Sequence, residues 1–164
     1  GRIRTSDLLM AVQYQRFEPH LLSIIQNKAL ANWNAADFSE LAEYEYQLEP
    51  VLPRLGHLDI AFFSLCQRNN KEGGFLRTLL STSTQIKALL IATEGAAGVH
   101  AISNGSHYFV PAQKISRAVD ATGAGDSFIA AFLKTYMQDP KNLNHCLKMG
   151  AAYAAQTVQN WGAY

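Results

Sequence analysis

The feature that most constrains this chain is Asp120-Ala121-Thr122-Gly123-Ala124-Gly125-Asp126, which runs without a break into Ser127-Phe128-Ile129-Ala130-Ala131-Phe132-Leu133. Phe128, Ile129, Phe132, Leu133, Tyr136 and Met137 recur at helical spacing, which predicts a helix from about Gly125 to Met137 with that stripe buried. The glycines then stand at a helix N-terminus. There the first N–H groups have no intrahelical partner and the macrodipole adds roughly half a positive charge, so a phosphate suits the position. Gly123, Ala124 and Gly125 keep bulky side chains away from those N–H groups, and glycine tolerates the positive φ such a loop uses. Asp126 is out of keeping with an anion site. Either it compensates the dipole or caps the helix, or it takes a proton from a hydroxyl that attacks a terminal phosphorus.

The rest of the sequence supplies a frame for that loop. Asp7 to Val12 is an apolar run suited to a buried strand, and Glu18-Pro19 opens a helix to Lys28. A second strand is expected from Ala31 to Asp37, then a loop or helical turn from Phe38 to Tyr46. Pro50 and Pro53 fit the first turn of a short helix to Leu55. Leu58 to Phe63 is a third strand, and Glu72 to Leu80 a helix with Phe75, Leu76, Leu79 and Leu80 inward. Lys87 to Thr93 is a fourth strand, apolar on both faces as a central parallel strand must be. Gly98 to Ser103 and His107 to Pro111 form a hairpin turned by Asn104-Gly105. A last helix runs from Leu143 to Asn160, parted from the Gly125 helix by Asp139-Pro140. Strands alternating with helices imply an α/β fold, a mostly parallel sheet with helices on both faces and a C-terminal antiparallel hairpin. Ligands of such sheets gather at the carboxyl ends of strands, where the loops after Thr93 and before Asp126 both fall.

Composition narrows the partners. A formal net charge of +1, from 14 basic and 13 acidic residues without a long run of either sign, leaves no nucleic-acid or membrane footprint. A small molecule is the expected partner. No apolar run approaches the ~20 residues of a spanning helix. Cys66 and Cys146 are far apart, both in apolar settings, without metal or redox spacing, which fits a reducing, cytoplasmic location. The five histidines are scattered and are expected at the surface or in packing. With 48% hydrophobic residues, the 164-residue chain is long enough for one ordinary core, and a single domain is expected. No G-x-x-x-x-G-K-[ST] occurs, which excludes a P-loop.

The stretch from Asp120 to Phe128 resembles the second signature of the ribokinase/PfkB carbohydrate kinase family, D-T-x-G-A-G-D-S-F, with Ala121 as the one departure. The resemblance implies a ribokinase-like fold, ATP and Mg²⁺ as cofactors, Asp126 as catalytic base, and Gly123, Ala124 and Gly125 as the anion hole. Thr93-Glu94-Gly95-Ala96-Ala97-Gly98 is similar to the family's T-x-G-x-x-G nucleotide loop, which implies that Thr93, Gly95 and Gly98 border the nucleotide; alone it would be a Gly-rich turn between strands. Asp120 and Thr122 match positions that in some members help bind a monovalent cation such as K⁺, together with a C-terminal loop at Thr157 to Gly162. Equally, they satisfy loop backbone groups as Asx- and ST-type turns. The family's N-x-x-E motif corresponds to Ser64-Leu65-Cys66-Gln67, so Ser64 and Gln67 are left as outer-shell candidates at most. Asp37 faces either a substrate cleft or, as an exposed loop residue, solvent.

Residues 7–164 carry the resemblance, which covers the C-terminal, nucleotide-binding and catalytic part of the family's usual length. The family's di-glycine sugar motif and its β-sheet lid have no counterpart here. The softer likenesses, Ala36-Asp37-Phe38-Ser39, Leu58 to Phe62 and the ending Ala154 to Tyr164, point to fructoselysine 6-kinase and similar fructosamine kinases. The expectation is an ATP-dependent kinase for a hydroxyl of a sugar or sugar–amine adduct, with residues 1–164 an incomplete enzyme prone to form homo-oligomers. The rival expectation is a non-catalytic nucleotide-binding or interaction module descended from such a kinase, favoured by the altered Ser64–Gln67 stretch and opposed by the intact Asp126.

Overall fold

A computed structural model of the chain describes residues 6–12, 26, 31–39, 41–45, 47–66 and 71–162. The expected helix from Glu18 to Lys28 lies outside them except for Gln26, which is helical, and Gln67 lies outside them as well. Six strands pair in chain order: β1 (Ser6–Val12), β2 (Ala31–Asp37), β3 (Ile60–Ser64), β4 (Leu89–Thr93), β5 (Gly98–Ser103) and β6 (Ser106–Pro111). The helices are α1 (Leu52–Leu55), α2 (Gly74–Thr82), α3 (Ala124–Gln138) and α4 (Leu143–Thr157). β1, β2 and β3 are parallel, and the sheet turns antiparallel from β4 to β6. The chain forms two compact units, Gly1–Ala92 with Ala101–Tyr108, and Thr93–His100 with Phe109–Tyr164.

In the first unit the period of two along each strand shows directly in the packing. Ala11, Ala36 and Ala61 line up across β1, β2 and β3 and enter one core with Phe63, Leu90 and Ala92. On the opposite face Ala35, Ile60, Phe62 and Ile91 are buried too, as strands covered on both sides require. Phe75 and Leu79 of α2 join the core, with Leu76 and Leu80 packed at its margin. Phe63 stacks on Phe38 at 5.4 Å and meets the edge of Phe75 at 5.9 Å.

Small departures from expectation have local causes. β3 begins at Ile60 rather than Leu58, and Asp59 just before it is tied to the neighbouring strands. Its Oδ2 accepts the Asn34 N–H at 2.8 Å, its N–H donates to the Asn34 carbonyl at 2.8 Å, and its carbonyl accepts the Leu89 N–H at 2.8 Å. α2 begins at Gly74 because Gly73 adopts φ 70°, after a 3₁₀ turn at Lys71–Gly73. The expected loop after Phe38 contains a 3₁₀ turn, Leu41–Tyr44, and another at Glu49–Val51 leads into α1. Asp37 ends β2 buried, not as an exposed loop residue, and its Oδ1 accepts the Ser39 N–H at 2.9 Å and hydroxyl at 2.6 Å. Cys66 is exposed, against the expected apolar setting, because β3 has ended by then; Cys146 is buried as expected. The hairpin turn is Asn104-Gly105, with φ 49° and 73°. Its Gly105 N–H is held by Ser83 Oγ at 3.0 Å.

In the second unit α3 buries Phe128, Ala131, Phe132 and Leu133, as its stripe predicts. Phe128 stacks on Phe132, and Phe132 on Tyr136. α4 approaches through Gly150, where a Cβ would stand 2.6 Å from the Phe128 ring. α4 ends at Thr157, short of the expected Asn160, and the Val158 carbonyl beyond it accepts the N–H groups of Val119 and Asp120 at 2.7 and 3.2 Å.

Candidate active site

The loop singled out in the sequence ends at the first turn of α3. Gly123 is the N-cap, with φ 77° and ψ 0°, a left-handed conformation natural only to glycine, and no side chain caps the helix. Ser127 donates its N–H to the Gly123 carbonyl at 2.9 Å, and Ala124 donates to the Ala121 carbonyl at 3.2 Å. The N–H groups of Gly125 and Asp126 have no acceptor among the described residues. Gly125 is exposed, and a Cβ built on it meets nothing within 4 Å. Asp126 is exposed in the same turn. These residues therefore form an open, donor-bearing helix end beside a carboxylate, the combination that anion binding with proton abstraction needs.

Asp120 satisfies loop backbone groups, as one of the two expectations had it, whereas the Thr122 hydroxyl bonds the Asp120 carboxylate rather than the backbone. Asp120 Oδ1 accepts the Thr122 N–H at 2.9 Å and hydroxyl at 2.7 Å, and Oδ2 accepts the Gly162 N–H at 3.1 Å. The Thr122 backbone donor, then its hydroxyl, then the Gly162 N–H hold the Asp120 carboxyl below its ordinary range. The segment from Thr157 to Gly162, expected near this loop, is joined to it here.

Thr93 ends β4, and Glu94 to Ala97 form a tight turn into β5. Glu94 N–H donates to the Gly98 carbonyl at 2.8 Å, and Ala97 N–H to the Glu94 carbonyl at 3.0 Å. Gly95 takes φ 52° with open space around it. Gly98, at φ 143°, is required by packing, since a Cβ would lie 2.3 Å from the Val110 carbonyl. The turn is thus a Gly-rich link between strands, with Gly95 open to a ligand and Gly98 closed against β6. Sequence reasoning assigned His100 only to surface or packing. It is buried, tilts against Phe109 at 4.8 Å, and its Nε2 lies 3.0 Å from Glu94 Oε2. A His two residues beyond the T-x-G-x-x-G stretch was the available signal.

Ser64 is half-buried at the end of β3. Among the described residues no three His, Cys, Asp or Glu side chains converge on a metal position, and no helix is long and apolar enough to cross a membrane.

The profile of the pfkB family of carbohydrate kinases matches residues 63–164. Over 118 residues the chain is 36% identical to a nucleoside kinase of Methanocaldococcus jannaschii, a match covering 72% of this chain and 38% of that protein. Over 139 residues it is 30% identical to fructoselysine 6-kinase of Escherichia coli (strain K12), covering 85% of this chain and 50% of that protein. Its fold is similar to that of adenosine kinase from Sinorhizobium meliloti, with a TM-score of 0.80 and 22% identity, covering 98% of this chain and 51% of that one. The chain thus spans about half the length, or less, of these relatives.

Proposed function

This chain belongs to the pfkB family of carbohydrate kinases, and from that premise we propose that it carries the catalytic base and nucleotide loops of an ATP-dependent kinase acting on a hydroxyl of a sugar or sugar–amine adduct. The observation that carries the reading is the open N-terminal turn of α3, with Asp126 exposed beside the unaccepted N–H groups of Gly125 and Asp126. ATP supplies the phosphoryl group. Gly123 sets the turn, and Gly125 leaves room for an anion to reach the backbone. The Gly125 and Asp126 N–H groups stabilise negative charge there. Ala124 contributes less than its neighbours, because its N–H is directed at Ala121. Asp126 accepts the proton of the attacking hydroxyl. Thr93 and Gly95 border the nucleotide, and Gly98 allows β6 to cross the base of that turn. Mg²⁺ bound to the nucleotide would neutralise charge on its phosphates. Closing the loop is the first role of Asp120 and Thr122; a cation such as K⁺ would use lone pairs left over from those bonds.

Fructosamines such as fructoselysine are the first substrates to test, since the match to fructoselysine 6-kinase covers 85% of this chain. Nucleosides come second, on the match to the nucleoside kinase. In the full-length protein, Asp126→Asn should lower kcat by about 10²–10⁴ with ATP binding retained, because the amide keeps the shape without the basicity. A kcat within a few-fold of the parent's would remove Asp126 as the base, whereas a full-length parent that binds ATP but turns over none of these substrates would favour a non-catalytic nucleotide-binding module. Turnover of nucleosides with none on fructosamines would reverse the substrate order.

A further inference from the structure

No side chain caps the turn of α3 that carries Asp126, since the N-cap is a glycine, and beyond the backbone bond from Ser127 to Gly123 the turn is held from outside the helix. The fixing contacts come from the end of α4. Thr157 Oγ1 lies 2.7 Å from Ser127 Oγ and 3.1 Å from the Tyr153 carbonyl of its own helix. One Thr157 proton cannot serve both contacts. The arrangement that satisfies both has Ser127 donating to Thr157 and Thr157 donating to Tyr153. Next in the chain, the Val158 carbonyl takes the N–H groups of Val119 and Asp120. Thr157, the last residue of α4, and Val158 just past it therefore grip the loop on both sides of Asp126, at its entry through Val158 and at its exit through Thr157. Exposure along the turn agrees with this: Asp126 is exposed, Ser127 half-buried, and Phe128 buried against Gly150.

We propose that Thr157, through the Ser127 hydroxyl, is a positioning residue for Asp126, setting the direction in which the first turn of α3 presents its carboxylate. This rests on the reading of Asp126 as the base. Phosphoryl transfer is sensitive to such placement, because a shift of a fraction of an ångström moves the base off the line to its hydroxyl. The test is a double-mutant cycle on kcat in the full-length protein. Thr157→Val, which keeps the shape and removes the hydroxyl, should lower kcat about ten-fold while KM for ATP stays within two-fold. Thr157→Ser should retain the parent rate. Ser127→Ala with Thr157→Val together should be no worse than the more damaging single change, since both remove one tie. Backbone amide exchange at Gly125 to Ser127 should quicken in Thr157→Val. Parent-like kcat in Thr157→Val, or losses that multiply in the double variant, would overturn the proposal. Asp126→Asn run in parallel separates the two readings. Loss of rate there with a normal Thr157→Val defeats this inference alone. Normal rate in Asp126→Asn defeats the base assignment and this role with it.

Discussion

At the scale of single residues, Gly125 gives the sharpest test of the anion site. It is exposed, and a Cβ placed there touches nothing within 4 Å in the protein, so a substitution at this position should leave folding largely intact. Gly125→Val should nonetheless weaken nucleotide binding, because the branched side chain occupies the space through which a phosphate reaches the backbone. Unchanged ATP affinity by calorimetry in the folded variant would refute the assignment. Asp120 acts through its three hydrogen bonds, which hold its carboxyl below the ordinary range. A depressed folded-state pKa contributes stability that is present above the unfolded pKa and is lost as pH falls through the folded one. The parent should therefore be more stable than Asp120→Ala near neutrality, and the gap should narrow below about pH 4. Thermal melts across that range decide it, and a gap that widens on acidification would contradict the sign.

Among the elements, the α3 and α4 pair depends on one small residue. Gly150 allows α4 to lie against the Phe128 ring, which is itself stacked on Phe132 at 6.0 Å and has little room to swing. Gly150→Ala gains up to about 1 kcal/mol in helix propensity. It also forces a carbon to 2.6 Å from the ring, an overpacking that costs roughly 1–3 kcal/mol. The net effect should be a lower Tm, partly restored by Phe128→Leu. A raised Tm would show that the helices part without penalty. The same pairing matters to the site, since Thr157 closes α4 and Asp126 stands in the first turn of α3.

For the molecule as a whole, length is decisive. Residues 1–164 span about half of the relatives they match, and phosphoryl transfer needs a bound hydroxyl held in place and shielded from water. Assayed alone, this chain is expected to show no sugar-dependent release of ADP. It is also expected to self-associate, because β1 and β6 end the strand order and carry exposed Val12, Tyr108 and Phe109. Light scattering coupled to gel filtration, followed by a coupled ADP assay on the monomer peak, tests both. A stable monomer with brisk sugar-dependent turnover would contradict each.

The features read from the chain itself are ones that depend on local pattern. The strands Ala31–Asp37 and Gly98–Ser103, the Asn104-Gly105 turn and the stripe of α3 follow from periodicity and from the φ preferences of glycine and asparagine. The Gly123 to Asp126 loop was legible for the same reason, since helix start, glycines and acid lie within one turn. Tertiary structure alone decided what depends on residues remote in sequence. Asp59 ties β2 to β4, Gly98 is closed by Val110, and Thr157 reaches Ser127 across 30 positions. Periodicity reports which face of an element is buried, because burial acts on whole stripes. A hydrogen bond between two side chains depends on the meeting of particular atoms, and their distance exists only once the elements have packed.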